Sequence, residues 1–246
     1  MLFFFTVSSW SQTVDSTFDL YLLIGQSNMA GRGEITDEYK NEGNSSVLML
    51  TKEGDWVQAK HPLHFDKPSV AGVGPGLRFG MDMVKETSHK IGLIPSAVGG
   101  TSIDGWVPGA YDKATNTFPY DDAIKRLEIA MQSGTIKGVL WLQGESDSDS
   151  TKAKNYLEKL FELINRIRSI TGNLSLPFVA GELGRFKEQY GNINAALALL
   201  PQAVPFTAVV HSNHLMDKGD KTHFHAASAD EYGKRFAAAM KKLHLK

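Results

Sequence analysis

Leu22-Leu23-Ile24-Gly25-Gln26-Ser27-Asn28-Met29-Ala30-Gly31 runs an apolar strand directly into a small polar turn that carries one serine. The apolar and aromatic residues from Phe18 to Ile24 predict a buried strand, and Gly25 ends it with a residue that tolerates unusual backbone angles. In an open α/β sheet such a junction stands at the carboxyl edge, where these sheets gather their ligands. A hydroxyl held there can be aimed at a substrate while nearby backbone N–H groups point the same way. The same serine would serve equally well as a helix N-cap, so the turn alone leaves both roles open.

Outward from this turn the chain alternates helices and strands. Residues 31–75 form a long excursion with one small strand at Val47-Leu48-Met49-Leu50, closing at Gly72-Val73-Gly74-Pro75-Gly76; long segments at a strand's carboxyl end tend to build binding sites. Phe79, Met83 and Val84 recur at helical spacing and predict a helix over 77–90, with Gly92 as its stop. A strand over 91–98 then ends in Gly99-Gly100-Thr101-Ser102, a second glycine turn. Ile124, Leu127 and Met131 share one face of a helix over 121–131, and a third strand, 136–142, closes on Gln143-Gly144-Glu145-Ser146-Asp147.

The clearest amphipathic stripe is Leu157, Leu160, Phe161, Ile164 and Ile167, within a helix over 151–170 that Asp149 or Ser150 would cap and Gly172 would end. Strands over 176–180 and 206–210 flank a helix over 193–200, and a last helix over 226–243 sets Tyr232, Phe236 and Met240 in one row. Such alternation predicts right-handed crossovers and a mostly parallel sheet buried on both faces.

Composition excludes several functions. With 26 basic and 27 acidic residues among 246, and a formal charge of -1, no global basic field exists to attract nucleic acid or an anionic membrane. A small neutral or weakly charged substrate fits better. The absence of cysteine removes disulfides, thiol catalysis and thiolate metal sites. No run of about 20 apolar residues occurs, so no segment is expected to span a membrane. Residues 1–12, Met1-Leu2-Phe3-Phe4-Phe5-Thr6-Val7-Ser8-Ser9-Trp10-Ser11-Gln12, resemble the later part of a secretory signal peptide without its basic start. They lead to the expectation of a secreted or periplasmic protein cleaved near Ser11 or Gln12; a buried N-terminal strand or a helix cap is the other reading.

Three strand ends therefore carry polar or glycine turns along one sheet edge, and a fourth piece, Asp220-Lys221-Thr222-His223, precedes the last helix. Its carboxylate and imidazole, three residues apart, can meet across a single turn. Ser, Asp and His in this order could form a triad in which imidazole takes the serine proton and the carboxylate fixes its tautomer. His223 could also be a surface histidine. The α/β-hydrolase elbow is not present, because residues 25–29 lack the second glycine of G-x-S-x-G.

Gly-Gln-Ser-Asn-Met at 25–29, Gly-Gly-Thr-Ser-Ile at 99–103, Trp-Leu-Gln-Gly-Glu-Ser-Asp at 141–147 and Asp-x-x-His-Phe at 220–224 together resemble the SGNH-hydrolase superfamily. Within it they look like the sialate O-acetylesterase and acetylxylan esterase branch, carbohydrate esterase family 6. The resemblance covers about residues 20–230. It implies Ser27 as nucleophile, His223 as general base and Asp220 as the acid orienting it. The oxyanion hole would then comprise the backbone N–H of Ser27, the backbone N–H of Gly100 and the side-chain amide of Gln143. Glu145 is either a supporting acid or a brace for the serine turn.

Gln26, Asn28 and Trp106 are candidate substrate contacts, Trp106 being either a sugar-stacking platform or core. Arg78 stands either near the site or on a solvated helix face. His211, His214, His223 and His225 bring no HExxH motif or carboxylate set, so no metal and no cofactor are expected. The expected fold is a flavodoxin-like three-layer α/β/α sandwich of about five parallel strands, the SGNH hydrolase fold, in one domain over residues 18–246. The expected activity is a serine esterase removing O-acetyl groups from carbohydrate, either acetylated xylan or O-acetyl sialic acid. A lipase-like or other short-chain acyl esterase, and an inactive carbohydrate-binding relative, are the alternatives.

Overall fold

The computed structural model describes residues 14–245, so the signal-like segment over 1–12 lies outside the described residues. Seven strands form one sheet: β1 (Phe18–Gly25), β2 (Val47–Leu50), β3 (Trp56–Gln58), β4 (Lys90–Pro95), β5 (Thr135–Leu142), β6 (Phe178–Gly181) and β7 (Thr207–Val210). Their order is β3-β2-β4-β1-β5-β6-β7, parallel throughout except for the β2/β3 pair. The five strands expected from sequence, β4-β1-β5-β6-β7, stand in the flavodoxin-like order. The sheet gains two more at the β4 edge. β2 was expected as a strand but not as part of the sheet, and β3 is a mostly exposed segment too short and polar to announce itself.

The helices are α1 (Ser27–Ala30), α2 (Asp37–Lys40), α3 (Pro75–Val84), α4 (Pro119–Met131), α5 (Tyr156–Thr171), α6 (Tyr190–Ala198), α7 (Leu200–Ala203) and α8 (Ala226–His244). Alternate residues of β1 point to opposite faces of the sheet. Leu20, Leu22 and Ile24 pack with Leu127, Leu160 and Ile193 of α4, α5 and α6. Tyr21 and Leu23 pack with Phe79 of α3 and with Phe236 and Met240 of α8. Both faces of β1 are thus covered, which is why it reads as an apolar run from Leu20 to Ile24 rather than an alternating one. Each such buried aliphatic side chain contributes roughly 1.5–3 kcal/mol.

Two helices differ from their expected form. The helix begun by Pro75 stops at Val84, and Gly92, expected as its stop, lies inside β4 because residues 90–95 pair in register with 18–23 of β1. In α5 the buried face is Tyr156, Leu160, Leu163, Ile164 and Ile167, whereas Phe161 is 44% exposed. Leu163, one turn beyond Leu160, takes the inward place that Phe161 was expected to hold. The preceding residues Lys152–Asn155 form a 3-10 turn, with Asp149 Oδ1 accepting the N–H groups of Thr151 and Lys152 at 3.0 Å each. Gly172 ends α5 in the left-handed region as expected.

Gly25 is required by its turn. Its φ is +131°, and a Cβ there would lie 2.2 Å from the Leu142 carbonyl oxygen of β5. That carbonyl accepts from Gln26 N–H at 2.9 Å. The chain therefore leaves β1 between β1 and β5, where the strand order reverses and open α/β sheets bind ligands.

Candidate active site

A cleft of about 510 Å³ opens at the carboxyl ends of β1, β4 and β5. Gln26 and Ser27 reach it from β1, Gly99 and Gly100 from β4, and Glu145 and Ser146 from β5. The loop before α8 brings Asp220 and His223 to the same place.

His223 Nε2 lies 3.0 Å from Ser27 Oγ, and His223 Nδ1 lies 2.7 Å from Asp220 Oδ2. Asp220 Oδ1 accepts the backbone N–H of His223 at 2.8 Å and of Thr222 at 2.9 Å. Partial burial works against charge on Asp220, but the His223 backbone and ring and the Thr222 backbone outweigh it and hold the carboxyl at about 2. An ionised Asp220 fixes the proton of His223 on Nδ1 and leaves Nε2 to accept from Ser27. Hydroxyl, imidazole and carboxylate thus form a continuous relay that can deprotonate a serine.

Asn28, the residue after Ser27, clamps the loop that carries His223. Its Oδ1 accepts Phe224 N–H at 3.0 Å, and its Nδ2 donates to the Thr222 carbonyl at 2.9 Å and to Glu145 Oε1 at 2.5 Å. With both ends of its amide engaged and 3% of its surface exposed, Asn28 is not available as the substrate contact it was expected to be. Glu145 braces Asn28, and no hydrogen bond joins it to His223. Its carboxyl is enclosed, with Oε2 unpartnered, and burial pushes it up to about 7 despite the Asn28 bond.

On the opposite side, Gly99 N–H donates to Asp66 Oδ2 at 2.8 Å, and the same oxygen takes Arg32 Nη2 at 2.6 Å in a buried ion pair. Burial alone would raise the Asp66 carboxyl, but Arg32 and the Gly99 N–H reverse this and lower it. A Cβ at Gly99 would lie 2.4 Å from Arg32 Nη2 and 2.9 Å from Asp66 Oδ2, so a larger residue there would press on this ion pair. Asp147 ties the loop from the β5 side, accepting Ser102 Oγ at 2.5 Å and Ile103 N–H at 2.9 Å. Among the described residues, the N–H groups of Ser27 and Gly100 have no hydrogen-bonded acceptor.

Two expected roles are corrected, and of the two alternatives for Trp106 one is chosen. Gln143 is fully buried, and its Nε2 is surrounded by Asp147 Oδ2 at 2.6 Å, the Thr101 carbonyl at 3.0 Å and Gln26 Oε1 at 3.1 Å. Its two N–H bonds are used within the protein, so it does not offer a donor to the cleft. Trp106 is core. It is 1% exposed, packs edge-on against Trp141 at 5.3 Å and donates to Thr101 Oγ1 at 3.3 Å. Arg78 is neither beside the serine nor merely solvated; it joins α3 to α8 through Asp230 at 2.6 Å and also pairs with Glu42.

His225 caps α8 by accepting Ser228 N–H, and His211 bonds Glu182 at 2.9 Å. Among the described residues no group of three or more His, Asp or Glu is arranged to hold a metal. Asp66 escaped the sequence reading because nothing local marks one acid within the long excursion over 31–75. Arg32 and Asp147 were visible beside the motifs, but their partners were not.

The family model of carbohydrate esterases described as sialic acid-specific acetylesterases matches residues 17–242. A probable carbohydrate esterase of Arabidopsis thaliana is 36% identical over 180 residues, which span 65% of this chain and 66% of that protein. An X-ray structure of an Arabidopsis thaliana protein superimposes with a TM-score of 0.81 and 31% identity, over 91% of this chain and 98% of that one. A carbohydrate acetylesterase from Xanthomonas citri shares the fold at a TM-score of 0.72 and 22% identity, over 92% of this chain and 56% of that one.

Proposed function

The chain belongs to the carbohydrate esterase family of sialic acid-specific acetylesterases, and on that premise we propose that it removes O-acetyl groups from carbohydrate by a serine mechanism. The observation that carries this reading is the relay from Ser27 Oγ to His223 Nε2 at 3.0 Å and from His223 Nδ1 to Asp220 at 2.7 Å. Ser27 attacks the acetyl carbonyl while His223 takes its proton. His223 then protonates the departing sugar oxygen, and an acetyl-enzyme remains. Water, deprotonated by the same imidazole, releases acetate and restores Ser27.

The cleft lining supports a short acyl group. Among the described residues Val70 and Tyr190 are the only large apolar side chains that line it, which offers little trough for a long chain. Lys67, Lys187 and Lys218 also line it, and none is ion-paired among the described residues. This excess of positive charge favours an acetylated sugar that carries a carboxylate, such as an O-acetyl sialic acid, over neutral acetylated xylan.

The test is hydrolysis of an aryl acetate, an aryl octanoate, acetylated xylan and 9-O-acetyl sialic acid by the wild-type protein and by Ser27→Ala. Turnover of acetate over octanoate, preference for the acidic sugar, and a folded but inactive Ser27→Ala are expected. Turnover retained by Ser27→Ala would overturn the mechanism, and sugar binding without turnover in the wild type would overturn the activity.

A further inference from the structure

Behind the carboxyl end of β4, on the side of α4, lies a second cavity of about 430 Å³. Asp66 lines it and Gly99 lines the catalytic cleft, so the hydrogen bond between these two residues stands between the two spaces. His64 and Ser96, also in its lining, are 3% and 8% exposed. Both ring nitrogens of His64 and the Ser96 hydroxyl are enclosed without a hydrogen-bond partner among the described residues. Burial pushes the His64 imidazole below its ordinary range, with Asp66 offsetting only part of this, so the ring is neutral at pH 7. One of its nitrogens then donates and the other accepts.

Water would satisfy these groups, but it would not balance the charge around them. Arg126 reaches the cavity from α4 and donates to the carbonyls of Pro95 and Thr51 at 2.9 Å each and of Leu50 at 2.8 Å. Its guanidinium carbon lies 4.6 Å from the centre of the Phe65 ring. No carboxylate stands within 4.0 Å of it among the described residues, and Glu53 and Asp122 act on it only from farther off. Burial brings it down to about 10, so it keeps its charge. Lys52 and Lys125 line the same cavity, and neither has an ion-pair partner among the described residues. Against these three cations stand Asp66, which Arg32 already neutralises, and Asp122.

We propose that this cavity is a second binding site, for one ring of a sugar that carries a carboxylate. The carboxylate meets Arg126 in the field of Lys52 and Lys125, and ring hydroxyls meet Ser96 and His64. A hydroxyl both donates and accepts, as a neutral imidazole requires; a bare anion such as sulfate would leave the accepting nitrogen of His64 without a donor. Phe65, Ala97 and Ile129 supply an apolar wall for the C–H face of the ring. Such a mixture of apolar wall and few polar groups is usual for small-molecule sites of about 300–1,000 Å³. The site lies outside the esterase activity and does not depend on Ser27.

The test titrates the full chain, with its histidines ¹⁵N-labelled, with D-glucuronate, D-glucose and sulfate, and reads affinity from the His64 ring signals. Glucuronate is expected to move them with a Kd of about 1 mM, ordinary for a ligand of about thirteen non-hydrogen atoms. Glucose, which leaves Arg126 unpaired, and sulfate, which offers His64 no donor, should each bind at least about tenfold more weakly. Ser96→Ala should weaken glucuronate about tenfold and, because it removes an unpartnered hydroxyl, should melt no lower than the wild type. Lys125→Glu, an exposed change that leaves the fold intact, should weaken it about threefold or more. Ser27→Ala, Lys67→Gln and Lys187→Gln, all in the catalytic cleft, should leave this affinity within about twofold.

His64 signals that do not move at about 20 mM glucuronate overturn the proposal and leave a cavity that holds water only. Equal affinity for glucose or for sulfate overturns it too, since charge or hydroxyls then play no part. So does a loss of the His64 response in Lys67→Gln or Lys187→Gln but not in Ser96→Ala or Lys125→Glu, which would place the ligand in the catalytic cleft.

Discussion

Glu145 and Asn28 are joined by a hydrogen bond of 2.5 Å between Oε1 and Nδ2, which links the turn after β5 to the residue that follows Ser27. Through the other contacts of Asn28, to the Thr222 carbonyl and the Phe224 N–H, the bond reaches both neighbours of His223. Glu145 thus steadies the serine and the histidine together.

The enclosed carboxyl of Glu145 makes stability depend on pH. Burial raises it from an ordinary 4.5 to about 7 in the folded protein. Between these values the folded state holds a proton that the unfolded state has lost, so stability falls as pH rises from 4.5 to about 7 and then levels off. Glu145→Gln, which is neutral and keeps an oxygen for Asn28, should remove this fall, worth on the order of 3 kcal/mol. Urea denaturation of both proteins at several pH values across this window checks it; an unaltered pH slope in the variant refutes the assignment.

The same variant separates the two acids. Asp220 bonds His223 directly, whereas Glu145 reaches it only through Asn28 and its loop. Asp220→Asn should lower kcat by on the order of 10⁴-fold, since an amide there can favour the wrong imidazole tautomer. Glu145→Gln should retain most of the activity at neutral pH. Steady-state kinetics with an aryl acetate decide between them, and the reverse ranking would make Glu145 the working acid.

The Arg32–Asp66 pair carries the loop of Gly99, so its loss should be felt at the cleft. Asp66→Ala leaves a buried guanidinium and the Gly99 N–H without their shared acceptor. A loss of about 3–5 kcal/mol of stability is expected, together with a lower kcat in whatever fraction stays folded. Thermal denaturation combined with single-turnover acetylation measures both; a variant with unchanged melting and unchanged acetylation counts against the pair's role.

Trp106 offers the contrasting case. Because it is packed edge-on against Trp141 beneath the loop, Trp106→Ala should cost about 3–5 kcal/mol, and the milder Trp106→Phe should lower the melting temperature while leaving KM for an acetylated sugar unchanged. A selective rise in KM at constant stability would favour the other alternative, a sugar platform.

Much of this was legible along the chain. Phe18–Gly25 reads as a buried strand because both of its faces are covered, and Tyr232, Phe236 and Met240 read as a helix stripe because their spacing matches the face that meets the sheet. Asp220 and His223 are three residues apart, so their contact is almost local. The motif ends Gly25, Gly99 and Gly144 also mark the three turns that surround the cleft.

What the tertiary structure alone decided is how polar groups far apart in sequence divide their hydrogen bonds. Gln26 and Gln143 are both amides near the serine, and nothing in composition or spacing shows that the Nε2 of Gln143 is the one enclosed by acceptors. Asp66 meets Arg32 and Gly99 across 34 and 33 residues, a pairing that no local pattern encodes. Apolar periodicity follows from the geometry of a single strand or helix and is written into its residues. Satisfying a buried donor depends on which acceptors the folded chain brings within about 3 Å, and that exists only once the elements are packed.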